Sequence, residues 1–328
     1  MGSFLSAYPR TETKITGRVA VVIGANRGIG FQTAKQLYEL GATVYLGCRD
    51  ETKALDAINR IRADVTASDG QLKWFHADMS SIKKARKSAE AFIKVENQLD
   101  ILINNAAIAN MTFSLNEEGV EHNMAVHHLG PSAFTIAVLD LMKQTSTKPG
   151  SDVRIVCVNS NAHTMLTRCS ITFDDEADLI SKPFPPTDYD TWSGWLARYG
   201  RSKLANLLFA NELQRRLEAE GSNIIVLSLH PGAVRTDSAL QSVAAMPIAG
   251  PVARFIASFM FMDEATGALN TIFAATNPAV RAEPEKYKGK YLEPVGKITP
   301  PAQLAQDQEL AKRVWDLGER VIQARSGV

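Results

Sequence analysis

Arg18-Val19-Ala20-Val21-Val22-Ile23-Gly24-Ala25-Asn26-Arg27-Gly28-Ile29-Gly30 is the stretch on which the fold turns. A β-branched apolar run ends among three glycines, after which Ala34, Leu37 and Leu40 recur at helical spacing. That order reads as buried strand, glycine turn and helix. Gly24 allows the tight turn, Gly28 lets backbone approach a diphosphate, and Gly30 permits close helix-to-strand packing with the anion at the helix N-terminus. Three glycines alone are a weak signal. A second apolar run at 42–48 makes the segment a βαβ nucleotide site rather than a simple turn.

The second strand ends at Cys48, where selection of unphosphorylated NAD usually places an acid. Here the next residue is Arg49, which with Arg27 can cradle a ribose 2′-phosphate, so NADP is expected, although Asp50 follows at once. Alternation continues with a helix at 53–65, a strand at 72–77, a helix at 80–95 and a strand at 99–103. Asp78 lies past a strand end, where it either meets the adenine or caps the next helix. Asn104-Asn105-Ala106-Ala107 leaves another strand in the same way and suits a loop beneath a cofactor. A long helical segment at 117–141 leads to a strand at 153–158 that ends in Asn159-Ser160. Open parallel sheets bind ligands at that rim, so Ser160 is either a group for a reacting oxygen or a helix cap.

Residues 161–198 read as an irregular polar excursion whose acidic run, Asp174, Asp175, Glu176 and Asp178, lacks calcium-loop spacing. Tyr199-Gly200-Arg201-Ser202-Lys203 then heads a helix at 199–220. Tyr199 and Lys203 sit one turn apart on the same face, and an ammonium beside a phenol favours phenolate and makes its proton useful for catalysis. A strand at 224–229 stops at His230-Pro231-Gly232, with His230 read as structural. Beyond Thr236 an apolar, proline-interrupted stretch suits a lid over a lipophilic substrate. A helix at 264–275, a short strand near Tyr291-Leu292 and a helix at 302–322 close the chain.

Composition narrows the function. The formal net charge of the 328 residues is +1, which provides no field for gathering nucleic acid or anionic membrane. Cys48, Cys157 and Cys169 lack metal-ligand spacing and read as reduced thiols of a cytoplasmic protein. Met1-Gly2-Ser3-Phe4-Leu5-Ser6 fits a loose myristoylation pattern, and 243–262 is the most apolar window, but Pro247, Pro251 and Arg254 argue against a membrane span.

Taken together, the glycine turn, Asn104-Asn105-Ala106, Ser160, Tyr199 with Lys203, and Pro231-Gly232 resemble the short-chain dehydrogenase/reductase family, and most closely its retinol-dehydrogenase-like branch. The resemblance covers about 17–322. It implies an α/β, single-domain Rossmann fold with a doubly wound, seven-stranded parallel sheet in the order 3-2-1-4-5-6-7 and a C-terminal substrate lid. The corresponding division is an N-terminal extension (1–16), the family domain (17–323) with an insertion at 164–198 and the lid at 236–262, and a tail (324–328).

In such enzymes the tyrosine is the acid or base. By resemblance, Tyr199 donates a proton to a carbonyl oxygen that Ser160 holds, and Lys203 lowers the tyrosine pKa and binds the nicotinamide ribose. Gly24, Asn26, Arg27, Gly28, Ile29, Gly30, Arg49, Asp78, Met79, Asn105, Ala106, Ala107, Pro231, Gly232, Val234 and Thr236 would contact NADP (NADPH) beside Tyr199 and Lys203. The substrate is a hydrophobic small-molecule carbonyl or alcohol, and the helices after the fourth and fifth strands often pair as a homodimer. One departure stands out: His127 occupies the place of the Asn that orders a proton path to the lysine. A relay through imidazole is one expectation; an NADP(H)-binding scaffold or sensor with little catalysis is the other.

Overall fold

The computed structural model describes residues 13–109, 111–166, 171, 173–180, 189–235 and 261–326. The opening stretch folds as read: strand β1 (Val19–Ile23) is buried at every position and the glycine turn delivers the chain into helix α1 (Gly28–Glu39). β2 (Thr43–Cys48), α2 (Glu51–Asp64), β3 (Gln71–His76), α3 (Ile82–Val95) and β4 (Ile101–Asn104) continue the alternation. Then come a short helix α4 (His122–Met124), a π-helical turn (Ala125–Leu129), α5 (Gly130–Ser146), β5 (Arg154–Val158) and a 3-10 turn (Asn161–Leu166). After α6 (Glu176–Ile180) the long α7 (Trp192–Ala219) leads into β6 (Ile225–Leu229), α8 (Glu264–Thr276), β7 (Tyr291–Glu293), β8 (Lys297–Ile298) and α9 (Gln308–Arg325).

The sheet runs β3-β2-β1-β4-β5-β6-β7-β8, parallel from β3 to β7. The eighth strand is the addition to the expected seven. It is a two-residue return that pairs antiparallel with β7 through Leu292↔Ile298 and Glu293↔Lys297. Side chains that alternate along each strand feed two cores. Val19, Val21 and Ile23 face α3, α5, α7 and α9 through Phe92, Phe134, Leu204 and Val314. Ala20 and Val22 face α1, α2 and α8 through Leu37, Ile58 and Ile272. Coverage of both faces explains why the central strands β1 and β6 are buried throughout, while the edge strand β3 alternates.

Cys48 and Cys157 are buried free thiols on strands, as read. The supposed helix at 117–141 is instead a turn, α4, the π-helical segment and α5, and the helix expected at 302–322 is a 3-10 turn (Gln303–Gln306) followed by α9, which begins at Gln308 and reaches Arg325. Thr236, nearly all of the lid, the myristoylation pattern and Cys169 lie outside the described residues. Among the described residues no helix is long and apolar enough to cross a membrane.

Candidate active site

β1 lies between β2 and β4, so the strand order reverses there and a crevice opens at the strands' carboxyl ends. A cavity of about 780 Å³ occupies that rim. Gly24, Asn26, Arg27, Gly28, Ile29, Gly30, Arg49, Asp78, Met79, Asn105, Ala106, Ala107, Ser160, Tyr199, Lys203, Pro231, Gly232 and Val234 all line it. His127 does not; it lies behind the wall, buried, while its neighbour Val126 faces the cavity.

The glycine turn fits a diphosphate. Gly24 adopts φ 78°, and a Cβ on Gly30 would stand 2.3 Å from the Gly24 carbonyl oxygen and 2.5 Å from Asn105 Nδ2. Asn105 Nδ2 donates to the carbonyls of Ile23 (3.2 Å) and Gly24 (3.1 Å), which pins the turn from beneath. No side chain caps α1 and its first turn carries no acid, so the orphan amides there are available to an anion. Asp50 is committed to α2: Oδ1 accepts the Lys53 amide at 3.0 Å and Oδ2 pairs with Lys53 Nζ at 3.2 Å. Arg49 beside it is exposed at the crevice edge.

Asp78 is not the cap of α3. Its Oδ1 accepts the Ser80 amide (2.9 Å), while Ser81 Oγ accepts from Lys84 and the Glu118 carboxylate takes the Ile82 and Lys83 amides, each at 2.8 Å. Asn104 points into the core, where Nδ2 donates to Thr135 Oγ1 at 2.9 Å. The two asparagines therefore divide the work, with Asn105 alone on the crevice.

Tyr199 is seven residues inside α7 rather than at its head, because Thr191 caps the helix by accepting the Gly194 amide at 3.2 Å. The two extra turns place Trp192, Trp195 and Leu196 on the cavity with Tyr199. That spacing of three, four and seven residues, preceded by a threonine cap, was the signal available in the sequence. Met165, Ile108 and Phe261 add further apolar wall.

Burial raises the Tyr199 pKa, and interaction with the Ser160 side chain only partly offsets it. The buried phenol therefore holds its proton. Lys203 Nζ lies 5.8 Å from the Tyr199 ring centre and donates to the Val158 carbonyl at 3.1 Å. Its own pKa is brought down to about 8 by burial. Ser160 Oγ accepts the Ala162 amide at 3.2 Å, which leaves its hydroxyl hydrogen for another oxygen.

His127 Nε2 accepts the Ile108 amide at 3.0 Å and Nδ1 lies 2.8 Å from Ser202 Oγ, which itself donates to the Tyr199 carbonyl at 2.7 Å. Nε2 also lies 3.1 Å from the Ile108 carbonyl oxygen, so both ring nitrogens are engaged by neighbours in the wall. Burial, then the Lys203 charge, hold the imidazole pKa well below its usual value.

A family model described as short chain dehydrogenase matches residues 18–170. A short chain dehydrogenase/reductase of Colletotrichum higginsianum is 38% identical over 302 residues, covering 92% of this chain and 74% of that protein. The crystal structure of a protein from Mycobacterium paratuberculosis superposes with a TM-score of 0.68 at 27% identity, over 95% of each chain. The chain belongs to the short-chain dehydrogenase/reductase family. Within it the likeness runs to the retinol-dehydrogenase-like branch: retinol dehydrogenase 14 of Mus musculus is 32% identical across 93% of this chain and 86% of its own length.

Proposed function

We propose that this chain is an NADPH-dependent oxidoreductase of the cytoplasm that reduces the carbonyl of a hydrophobic small molecule to an alcohol, or runs the reverse. The observation that carries the reading is the placement of Ser160, Tyr199 and Lys203 on one cavity with the glycine turn. Bound there, the reduced nicotinamide would supply the hydride for the carbonyl carbon. The α1 amides and the backbone at Gly24, Gly28 and Gly30 would hold the diphosphate, and Arg49 with Arg27 the ribose 2′-phosphate. Asp78, Met79, Ala106, Ala107, Pro231, Gly232 and Val234, which line the same cavity, would contact the rest of the cofactor.

Ser160, whose hydroxyl accepts from Ala162 and faces the Tyr199 phenol, donates its hydrogen to the reacting oxygen and fixes its position. Tyr199, kept protonated by burial, gives its proton to that oxygen as negative charge develops on it. The Lys203 ammonium then stabilises the phenolate left behind. Trp192, Trp195, Leu196 and Met165 provide the apolar wall that suits a lipophilic substrate.

The test is oxidation of NADPH by purified protein against a panel of lipophilic ketones and aldehydes. Turnover by the native chain that disappears in Tyr199→Phe, with NADPH still bound, supports the mechanism. Binding without turnover across the panel favours the scaffold or sensor reading, for which the engagement of both His127 nitrogens away from Lys203 is the supporting observation.

A further inference from the structure

We propose that His163 is a positioning residue for Ser160: a neutral imidazole that clamps the serine's main chain to the segment entering the C-terminal helix. The inference rests on the reductase reading for the role of Ser160, but the clamp itself is defined by contacts that do not depend on it.

β5 ends at Val158, and the 3-10 turn that follows Ser160 brings His163 back beneath it. Its Nδ1 lies 2.6 Å from the Ser160 carbonyl oxygen, and its Nε2 accepts the Ala302 amide at 3.3 Å. A carbonyl can only accept and an amide can only donate, so both bonds exist together in one form alone: hydrogen on Nδ1 and a lone pair on Nε2. An imidazolium would set an N–H against the Ala302 N–H. The ring is 1% exposed and lies edge to face on Tyr291, with centroids 5.2 Å apart and planes at 80°. Burial lowers its pKa, which agrees with the neutral form.

Apart from the contact of its hydroxyl with Tyr199, the other anchors of Ser160 are local. Its amide donates to Asn159 Oδ1 at 3.1 Å and its Oγ accepts from Ala162, so these bonds travel with the turn. The bond to Ala302 ties the turn to a part of the chain 139 residues away. The turn also abuts α7 beside Tyr199: a Cβ on Gly200 would stand 2.8 Å from the Ala162 carbonyl oxygen. A rotation of the turn therefore changes the angle between the Ser160 hydroxyl and the Tyr199 phenol. Freeing His163 should reduce the chemical step without affecting the distant nucleotide contacts.

Protonation should release the clamp. The titratable groups facing the ring are Tyr291 and Glu293 of β7 and His230 after β6; the Ala302 segment contributes an amide. The Glu293 charge favours imidazolium and burial opposes it more strongly.

Two measurements test the proposal. In the native protein, nitrogen-15 NMR of the histidine rings should assign His163 as the neutral form with hydrogen on Nδ1, in slow exchange at pH 7. An imidazolium or the other tautomer overturns the clamp whether or not the protein turns over a carbonyl. In kinetics, His163→Leu should lower kcat roughly tenfold or more with the NADPH Kd within about twofold. His163→Asn, whose amide nitrogen can replace Nδ1 toward Ser160 but which is too short to accept from the Ala302 amide as well, should stay impaired like the leucine variant and lose the part of the acid limb that His163 contributes. Native kcat in the leucine variant, or an asparagine variant with native kcat, overturns the proposal. If no carbonyl is reduced by the native protein, the reductase reading fails while the NMR result still decides the clamp.

Discussion

The rings of His127 and Tyr199 meet edge to face, 5.3 Å apart at 81°, while Trp195 lies against Tyr199 at 5.4 Å and 32°. The tyrosine is thus held between an imidazole and an indole, and the imidazole is tied in turn to Ile108 and Ser202. This arrangement anchors the His127 ring on both of its nitrogens. His127→Leu is expected to cost about 1–3 kcal/mol, because the Ile108 amide and the Ser202 hydroxyl lose a buried partner. Urea unfolding measures it, and a change below about half a kcal/mol would contradict that anchoring.

Lys203 is charged below a pKa of about 8 and is 2% exposed. Its folded pKa lies below its unfolded one, so between pH 8 and about 10.5 the unfolded chain binds more protons and stability rises with pH. At neutral pH the buried charge is a net cost. Lys203→Met should therefore stabilise the protein by about 1–3 kcal/mol, the upper figure being reduced by loss of the bond to Val158. The same variant should lose turnover, and native activity should decline above pH 8 as the ammonium discharges. A less stable Lys203→Met protein at pH 7 would show that the packing around Val158 matters more than the charge.

The parts read correctly from sequence were those set by neighbours along the chain. β1, its glycine turn and α1 follow from a β-branched run, small residues and a helical repeat, and the pairing of Tyr199 with Lys203 follows from one helical turn. What escaped was decided across space. The partners of His127 lie 19 and 75 residues away, and the π-helical turn that carries it has no periodic sequence signature. β8 is two residues long and exists only because β7 offers it an edge. The start of α7 was legible in Thr191, Trp192, Trp195 and Leu196, but the surrounding polar residues led to its being read as part of the excursion.

Preference for NADPH is expected to rest on Arg49, since the acid next to it is occupied by the cap of α2. Arg49→Ala should reduce kcat/KM with NADPH by about 10- to 100-fold, equivalent to about 1.4–2.7 kcal/mol of lost phosphate pairing, and leave NADH nearly unchanged. Equal losses with both cofactors would assign Arg49 to the fold of the crevice rather than to the 2′-phosphate.

Four histidines are held below their ordinary pKa by burial: His127, His128 (about 3), His163 and His230 (about 4). Unfolded, each titrates near 6.5, so below that pH the unfolded chain takes up protons that the folded chain refuses, and stability falls as the solution is acidified. Each contributes up to about 1.4 kcal/mol per pH unit until its folded pKa is reached. The window from pH 6 to pH 5 isolates them from most carboxylates. His128 is the cleanest test, because it packs against Phe209 with centroids 6.0 Å apart, its Nε2 has no hydrogen-bond partner, and it does not line the cavity. His128→Leu should lower the slope of unfolding free energy against pH by about 1 kcal/mol per unit in that window. An unchanged slope would mean that His128 gains a proton in the folded state, and the interior around α5 would have to admit water to allow it.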